Sequence, residues 1–148
     1  MISFDSNILV YAADPAAGER NLRSSDLLAR AMRRQICTQA LQSFCEFFSV
    51  VTRKTGVDAA AAAEMVAAWS AAVVVEPARP EDLDTAMRAV RDYRLSFWDA
   101  MLWATVRRAG VKLLISEDFQ DGRSIEGVRV INPFLPSNQA LIDTTLDD

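Results

Sequence analysis

The sequence predicts a single-domain α/β/α sandwich built on a central, mostly parallel sheet of about five strands. Three observations lead there. Short apolar or β-branched runs alternate with longer segments whose apolar residues recur every three or four positions, the periods of strand and helix. The connections are short and punctuated by glycine and proline, as expected where parallel strands are joined through crossover helices. A length of 148 residues, 51% of them hydrophobic, suffices for one proper core.

The first strand is Met1-Ile2-Ser3-Phe4, apolar enough to be central and parallel. Asp5-Ser6-Asn7 turns the chain into a helix that opens Ile8-Leu9-Val10-Tyr11-Ala12. Asp14-Pro15 and Gly18 mark a loop. A helix follows from Arg20 to Arg34, with Leu22, Leu27, Leu28, Ala31 and Met32 expected inward. Gln35 to Thr38 reads as the second strand and Gln39 to Lys54 as a helix ended by Gly56. Val57-Asp58 opens an alanine-rich helix that reaches Trp69, and Val73-Val74-Val75-Glu76 is a β-branched third strand closed by Pro77. Pro80, followed by Glu81 and Asp82, starts a helix that runs to Tyr93. The stretch Leu95 to Ala104 begins a buried helix with Trp98, Met101, Leu102 and Val106 on one face, and Gly110 ends it. Val111 to Ile115 and Val128 to Pro133 complete the strands. The domain is expected over 1–135, followed by an acidic tail, 136–148, that is loosely ordered and carries no site.

Composition removes several function classes. The net charge of −4 argues against a basic nucleic-acid coat protein. The absence of histidine excludes Ser-His-Asp and Cys-His catalysis and histidine-based zinc sites. Two cysteines and no visible signal peptide suggest a reducing, cytoplasmic setting. No apolar run approaches the ~20 residues that span a bilayer.

The acids carry the chemical signal. Asp5 follows the first strand, at the edge where open α/β sheets place their sites; it also suits an N-cap. Glu46 sits among Phe44, Cys45, Phe47 and Phe48. It shares a thin polar stripe with Gln39, Gln42, Ser43 and Ser49, which either faces solvent or lines a cleft. Asp99 interrupts an apolar helix start, where Ser96 three residues earlier also allows a capping box. Asp118 follows the fourth strand within Ser116-Glu117-Asp118-Phe119-Gln120-Asp121-Gly122. Each position has a bland explanation alone. Together, four acids able to converge at one sheet edge need a cation, because close carboxylates cannot all stay ionised. Mg²⁺ or Mn²⁺ takes oxygen ligands and resolves that conflict.

With these residues in hand, the sequence resembles the PIN-domain nucleases, and among them the VapC-type toxins of bacterial toxin–antitoxin modules. The resemblance rests on Ile2-Ser3-Phe4-Asp5-Ser6-Asn7-Ile8-Leu9-Val10-Tyr11, the Glu46 helix, Ser96-Phe97-Trp98-Asp99-Ala100, and Ile115-Ser116-Glu117-Asp118-Phe119-Gln120-Asp121-Gly122. It implies a PIN-like sandwich and an acidic quartet of Asp5, Glu46, Asp99 and Asp118 holding one or two Mg²⁺ or Mn²⁺ ions. It implies supporting hydrogen bonds from Ser6, Asn7 and Ser116, with Asp121 serving either a second ion or only its loop. The implied activity is metal-dependent endonucleolytic hydrolysis of RNA, with a homodimer and a small antitoxin that blocks the site. Arg88, Arg91 and Arg94 lie on one side of their helix and offer either a basic rim for an RNA backbone or a solvated face. A catalytically silent PIN-like binding module is the main alternative. A haloacid-dehalogenase-like phosphatase fits less well, because Asn7 stands where that chemistry needs a second aspartate.

Overall fold

The computed structural model, which describes residues 1–147, contains six strands and seven α-helices; all but the short strand Ser124–Ile125 and the last helix follow the predicted order of strands and helices. Strands β1 (Ile2–Phe4), β4 (Leu113–Ile115), β6 (Val128–Ile131) and β5 (Ser124–Ile125) form a sheet in the order β1-β4-β6-β5. The pairs β1/β4 and β4/β6 are parallel; β5 is antiparallel to β6. Strands β2 (Thr38–Ala40) and β3 (Val74–Glu76) make a second parallel pair. It is tied to β1 by one parallel bridge, Ile2 to Cys37, and by the Ile2 N–H donating to the Ile36 carbonyl.

Gln39 explains why the two sheets do not zip into one. Its side-chain carbonyl accepts from the Phe4 N–H at 3.2 Å and its amide donates to the Phe4 carbonyl. A side chain therefore occupies the place of the β1/β2 ladder at the carboxyl end of β1. From β1 the chain first builds β2 and β3 on one side and then crosses over to build β4 and β6 on the other. This makes the end of β1 the topological switch point, where open α/β sheets bind ligands.

Alternation along the strands feeds two cores. Ile2, Phe4, Leu113, Ile115 and Ile131 pack under helices α1 (Ser6–Ala13), α2 (Glu19–Arg33), α3 (Leu41–Lys54), α4 (Ala59–Ala72) and α7 (Gln139–Asp147). Leu114, Val128 and Val130 face α5 (Pro80–Tyr93) and α6 (Phe97–Arg108). The side chains of a strand point alternately to opposite faces, so a three-residue strand such as β4 serves both layers.

The α5/α6 pair is locked by a buried ion network. Asp82 is buried; it accepts from Arg108 Nε at 2.9 Å, from the Arg79 backbone N–H at 2.9 Å and from Thr105 at 3.4 Å, while Arg108 also reaches Glu76 at 3.0 Å. Beneath it Trp103 is fully buried and donates its indole N–H to the Ile125 carbonyl. Among the described residues no helix is long and apolar enough to cross a membrane.

Four expectations are corrected. Gln35 to Thr38 is not the second strand: Gln35 takes a positive φ of 53° and ends α2, and the strand runs Thr38–Ala40, so α3 starts at Leu41 rather than Gln39. Leu22 is 71% exposed, because it lies about 140° around the helix from Leu27 at 100° per residue. Trp98 is 63% exposed, because the first turn of α6 lies at the surface, where Ser96 and Phe97 are exposed as well. The tail is not loosely ordered. It forms α7, buries Ile142 and Leu146, and turns Asp143 and Asp147 toward Arg30 of α2; Asp148 lies outside the described residues. The sequence reading also omits β5, a two-residue strand closed by a Glu126-Gly127 turn with both residues at positive φ (45° and 87°), as a primed hairpin turn requires.

Burial of Asp82 with Arg108 leads to the first prediction. Asp82→Ala leaves a guanidinium without its main partner and is expected to cost about 3 kcal/mol in urea unfolding at about pH 7. The Asp82 carboxyl is held below its ordinary 3.8 against the opposing effect of burial, chiefly by the hydrogen bond from Arg108. Its contribution is therefore present above the unfolded pKa and is lost as pH falls through the lowered one, so variant and wild type converge only below that lowered value.

Candidate active site

Each of the four acids is delivered by a different element. Asp5 ends β1 and caps α1: its φ and ψ are extended, and its carboxylate accepts from the Ser6 backbone N–H at 2.6 Å. Glu46 projects from the second turn of α3. Asp99 occupies the third position of α6, behind the cap Ser96. Asp118 follows β4, three residues past its end at Ile115.

Small polar side chains join the acids. Ser116, fully buried, donates its hydroxyl to Asp5 Oδ2 at 2.6 Å and accepts from the Asp118 backbone N–H at 3.1 Å. Asn7 donates to Asp5 Oδ2 and to Ser116 Oγ, both at 3.3 Å, and its carbonyl accepts from the Glu117 N–H at 3.5 Å. Ser6 bridges two acids, donating to Glu46 Oε2 at 2.8 Å while its hydroxyl lies 3.4 Å from Asp5 Oδ1. Gln42 donates to Glu46 Oε1 at 2.7 Å and to the Trp98 carbonyl at 2.9 Å, which ties α3 to the start of α6. Only half of the possible capping box forms around Asp99. The Ser96 hydroxyl accepts from the Asp99 N–H, whereas the carboxylate makes no return bond to the Ser96 N–H among the described residues.

Electrostatics record how close these groups come. Burial pushes the Asp5 carboxyl up to about 6; hydrogen bonds from Ser116 and Ser6 pull the other way, and the charges of Glu46 and Asp99 add to the rise. The Asp99 carboxyl is also raised, first by burial and then by the charges of Asp118 and Glu46. Among the described residues none of the four acids is ion-paired with a lysine or arginine, although ten ion pairs form elsewhere. The set is open: among the described residues no three acids or cysteines are gathered tightly enough to cage an ion. Oxygen donors, uncompensated negative charge and a raised buried carboxyl fit a hard divalent cation.

Other residues singled out from the sequence are placed as follows. Asp121 is committed to its loop, since Oδ1 accepts from the Asn132 N–H and from Asn138, both at 2.7 Å. Of the polar stripe, Gln39 and Ser43 are buried, whereas Gln42, Glu46 and Ser49 line an open groove of about 490 Å³ with Ser6, Arg53 and Trp98. Arg88 lies 3.8 Å from Glu126 and Arg91 pairs with its neighbour Asp92. Arg94 is exposed in the left-handed cap between α5 and α6, two residues before Ser96. The sequence reading overlooked Arg53 and Glu117. Arg53 was visible in principle, falling seven residues after Glu46 and therefore on the same helical face. Glu117, by contrast, looks like its neighbour Asp118, and only the contacts separate them: Glu117 is paired with Arg20 and held by Tyr11.

The pKa of Asp5 makes a test of the site without substrate. Because the folded value exceeds the unfolded 3.8, ionised Asp5 destabilises the fold. That cost is absent below about pH 4 and complete above about pH 6. In chelator, Asp5→Asn is expected to exceed wild type in urea stability by up to roughly 3 kcal/mol at about pH 8, with no gain left near pH 4. A pH-independent difference would mean that Asp5 is not the titrating group.

Comparison with known proteins follows the geometry. A family model described as PIN domain matches residues 2–120; no curated protein sequence matches the chain. Three similar solved structures agree in fold. The VapC20 toxin of Mycobacterium tuberculosis, which cleaves the sarcin-ricin loop, is 19% identical over 77% of this chain and 87% of its own, with a TM-score of 0.64. A toxin–antitoxin complex from Klebsiella pneumoniae is 18% identical over 90% and 98%, with a TM-score of 0.64. VapBC2 from Rickettsia felis, bound to a DNA fragment from its promoter, is 10% identical over 89% and 98%, with a TM-score of 0.66. The order of its elements, the acids at the carboxyl edge of its sheet and the match over residues 2–120 agree: this chain belongs to the PIN domain family.

Proposed function

We propose that this protein is a divalent-metal-dependent endoribonuclease that acts as the toxin of a toxin–antitoxin pair. The observation that carries this reading is the uncompensated acidic edge. Asp5 is buried and linked through Ser6 to Glu46 and through Ser116 to the Asp118 backbone, with Asp99 close enough for Glu46 and Asp118 to raise its pKa. A nuclease gains from such a site because the reaction needs charge stabilisation at phosphate more than acid–base side chains, and a chain without histidine is well matched to it.

In this reading Asp5, Glu46, Asp99 and Asp118 hold one or two Mg²⁺ or Mn²⁺ ions, which when bound neutralise the acids and polarise the phosphodiester and the attacking water. Ser116 and Asn7 keep Asp5 deprotonated and oriented by donating to it. Ser6 and Gln42 fix Glu46. Glu46 stands on the open side of the site, where its carboxylate can accept a proton from an incoming water. In this reading Arg53 of the groove and Arg94, just before the Asp99 helix, contact the RNA backbone, and Arg88 and Arg91 do so only after releasing their acid partners. An acidic edge repels RNA until cations occupy it, so substrate binding is metal-dependent.

A similar solved structure described as a toxin–antitoxin complex supports an antitoxin as partner; in this reading a small antitoxin covers the acidic edge. A homodimer is supported by Leu83, Met87 and Val90, which expose one apolar face of α5.

The deciding experiment is cleavage of a structured RNA pool with Mg²⁺, Mn²⁺ or chelator, comparing wild type with Asp99→Asn. Cleavage is expected only with metal, and the variant should lose at least about 100-fold in rate with its melting temperature retained. Stabilisation by Mn²⁺ without cleavage of any RNA would turn the reading toward a metal-binding but silent module. Equal activity of the two proteins would remove Asp99 from the site.

A further inference from the structure

The loop that carries Asp118 is held by its neighbour. Among the described residues the Asp118 carboxylate accepts no hydrogen bond; only its backbone N–H is engaged, by Ser116. Its position therefore follows from the backbone of residues 116–118. Glu117 is where that backbone is gripped. Tyr11 of α1 donates its hydroxyl to Glu117 Oε2 at 2.5 Å, and Arg20 of α2 binds Oε1 through Nη2 and through Nε at 3.1 Å. Arg20 is in turn laid over two rings, with its guanidinium carbon 5.7 Å from the Tyr11 centroid and 4.9 Å from that of Phe134, and the rings meet edge to face at 5.5 Å. The contacts join residues 106 and 97 positions apart.

An isolated surface ion pair of this kind contributes little. This one is different in construction. Both carboxylate oxygens are taken, the arginine lies over two aromatic rings, and two helices, α1 and α2, converge on one side chain adjacent to the candidate site. We propose that Tyr11, Arg20 and Glu117 form a clamp that positions Asp118, an inference that rests on the nuclease reading above. Glu117 touches neither substrate nor cation. It acts through the backbone, and Arg20 is its anchor. The far end of the loop is fixed independently by Phe119, which is buried, and by Asp121 on Asn132 and Asn138. Residue 118 is thus suspended between two anchors, its carboxylate left free. Groups that orient a metal ligand typically change metal affinity by 10–100-fold when removed.

The test is Mn²⁺ affinity by calorimetry on the full chain, with RNA cleavage and melting temperature measured in parallel. Arg20→Ala is expected to weaken Mn²⁺ binding about 10-fold or more, with cleavage falling in step and the melting temperature within about 2 °C of wild type. Arg20→Lys keeps the charge and should restore part of the affinity. Tyr11→Phe, which keeps the ring, should weaken binding in the same direction. In an Asp118→Asn background Arg20→Ala should add nothing, because the clamp acts through Asp118. Wild-type Mn²⁺ affinity in Arg20→Ala would overturn the clamp, as would a raised KM with affinity intact, which would make Arg20 an RNA contact. An unchanged Mn²⁺ affinity in Asp118→Asn alone would instead overturn the metal reading itself.

Discussion

Placing the carboxylate of Asp5 at the carboxyl end of β1 removes it from water, and no cationic side chain among the described residues offsets the loss. Burial of an unpaired charge is tolerated only when hydrogen bonds or a bound ion compensate it. The chain meets that demand with short polar residues from two segments. Ser6 and Asn7 come from the first turn of α1, and Ser116 from the end of β4. Those donors join Glu46 and the Asp118 loop to the same point. Much of the arrangement at this edge is a response to one acid kept where it is unstable, and the compensation remaining to be supplied is what a divalent cation provides.

The opposite face supplies rigidity. Asp99 has to stand at the rim of the sheet on the first turn of α6, and a first turn frays easily. The turn is steadied from behind. Asp82 and Arg108 bind α5 to the far end of α6, and Trp103 anchors the middle of α6 to the Ile125 carbonyl. Gln42 reaches across from α3 to the Trp98 carbonyl. Burial of Ala100, Met101, Leu102 and Trp103 immediately after Asp99 leaves the helix little freedom to slide. The same core therefore gives stability and aims a site residue.

Much of this was legible in the residues, and the reasons are local. An apolar run with Asp5 at its end, Ser96 three residues before Asp99, and Gly56 and Gly110 after their helices are short-range signals, read within one turn or one strand. The parallel sheet followed from alternation of the two periods. What failed was decided by distant partners. Gln39 reads as a helix residue until Phe4 offers both backbone groups to its amide. The acids of the C-terminal segment read as a solvated tail until Arg30 is seen to collect Asp143 and Asp147 while Ile142 and Leu146 enter the core. Trp98 follows the apolar spacing of its helix, but it stands at the open groove beside α3 and stays 63% exposed.

By itself the sequence determined the chemistry available to this protein: carboxylates without histidine, placed after strands and at helix starts, in the order that marks a PIN domain. It also determined the strand and helix types, because periodicity is a property of consecutive residues. The tertiary structure alone decided which acid does what. Glu117 and Asp118 are adjacent and alike in composition, yet one is gripped by Tyr11 and Arg20 and the other is left free. Asp121, one turn further on, is bound to Asn132 and Asn138. Those partners lie 11 to 106 residues away along the chain, and an ion pair or hydrogen bond depends on distance in space rather than separation in sequence.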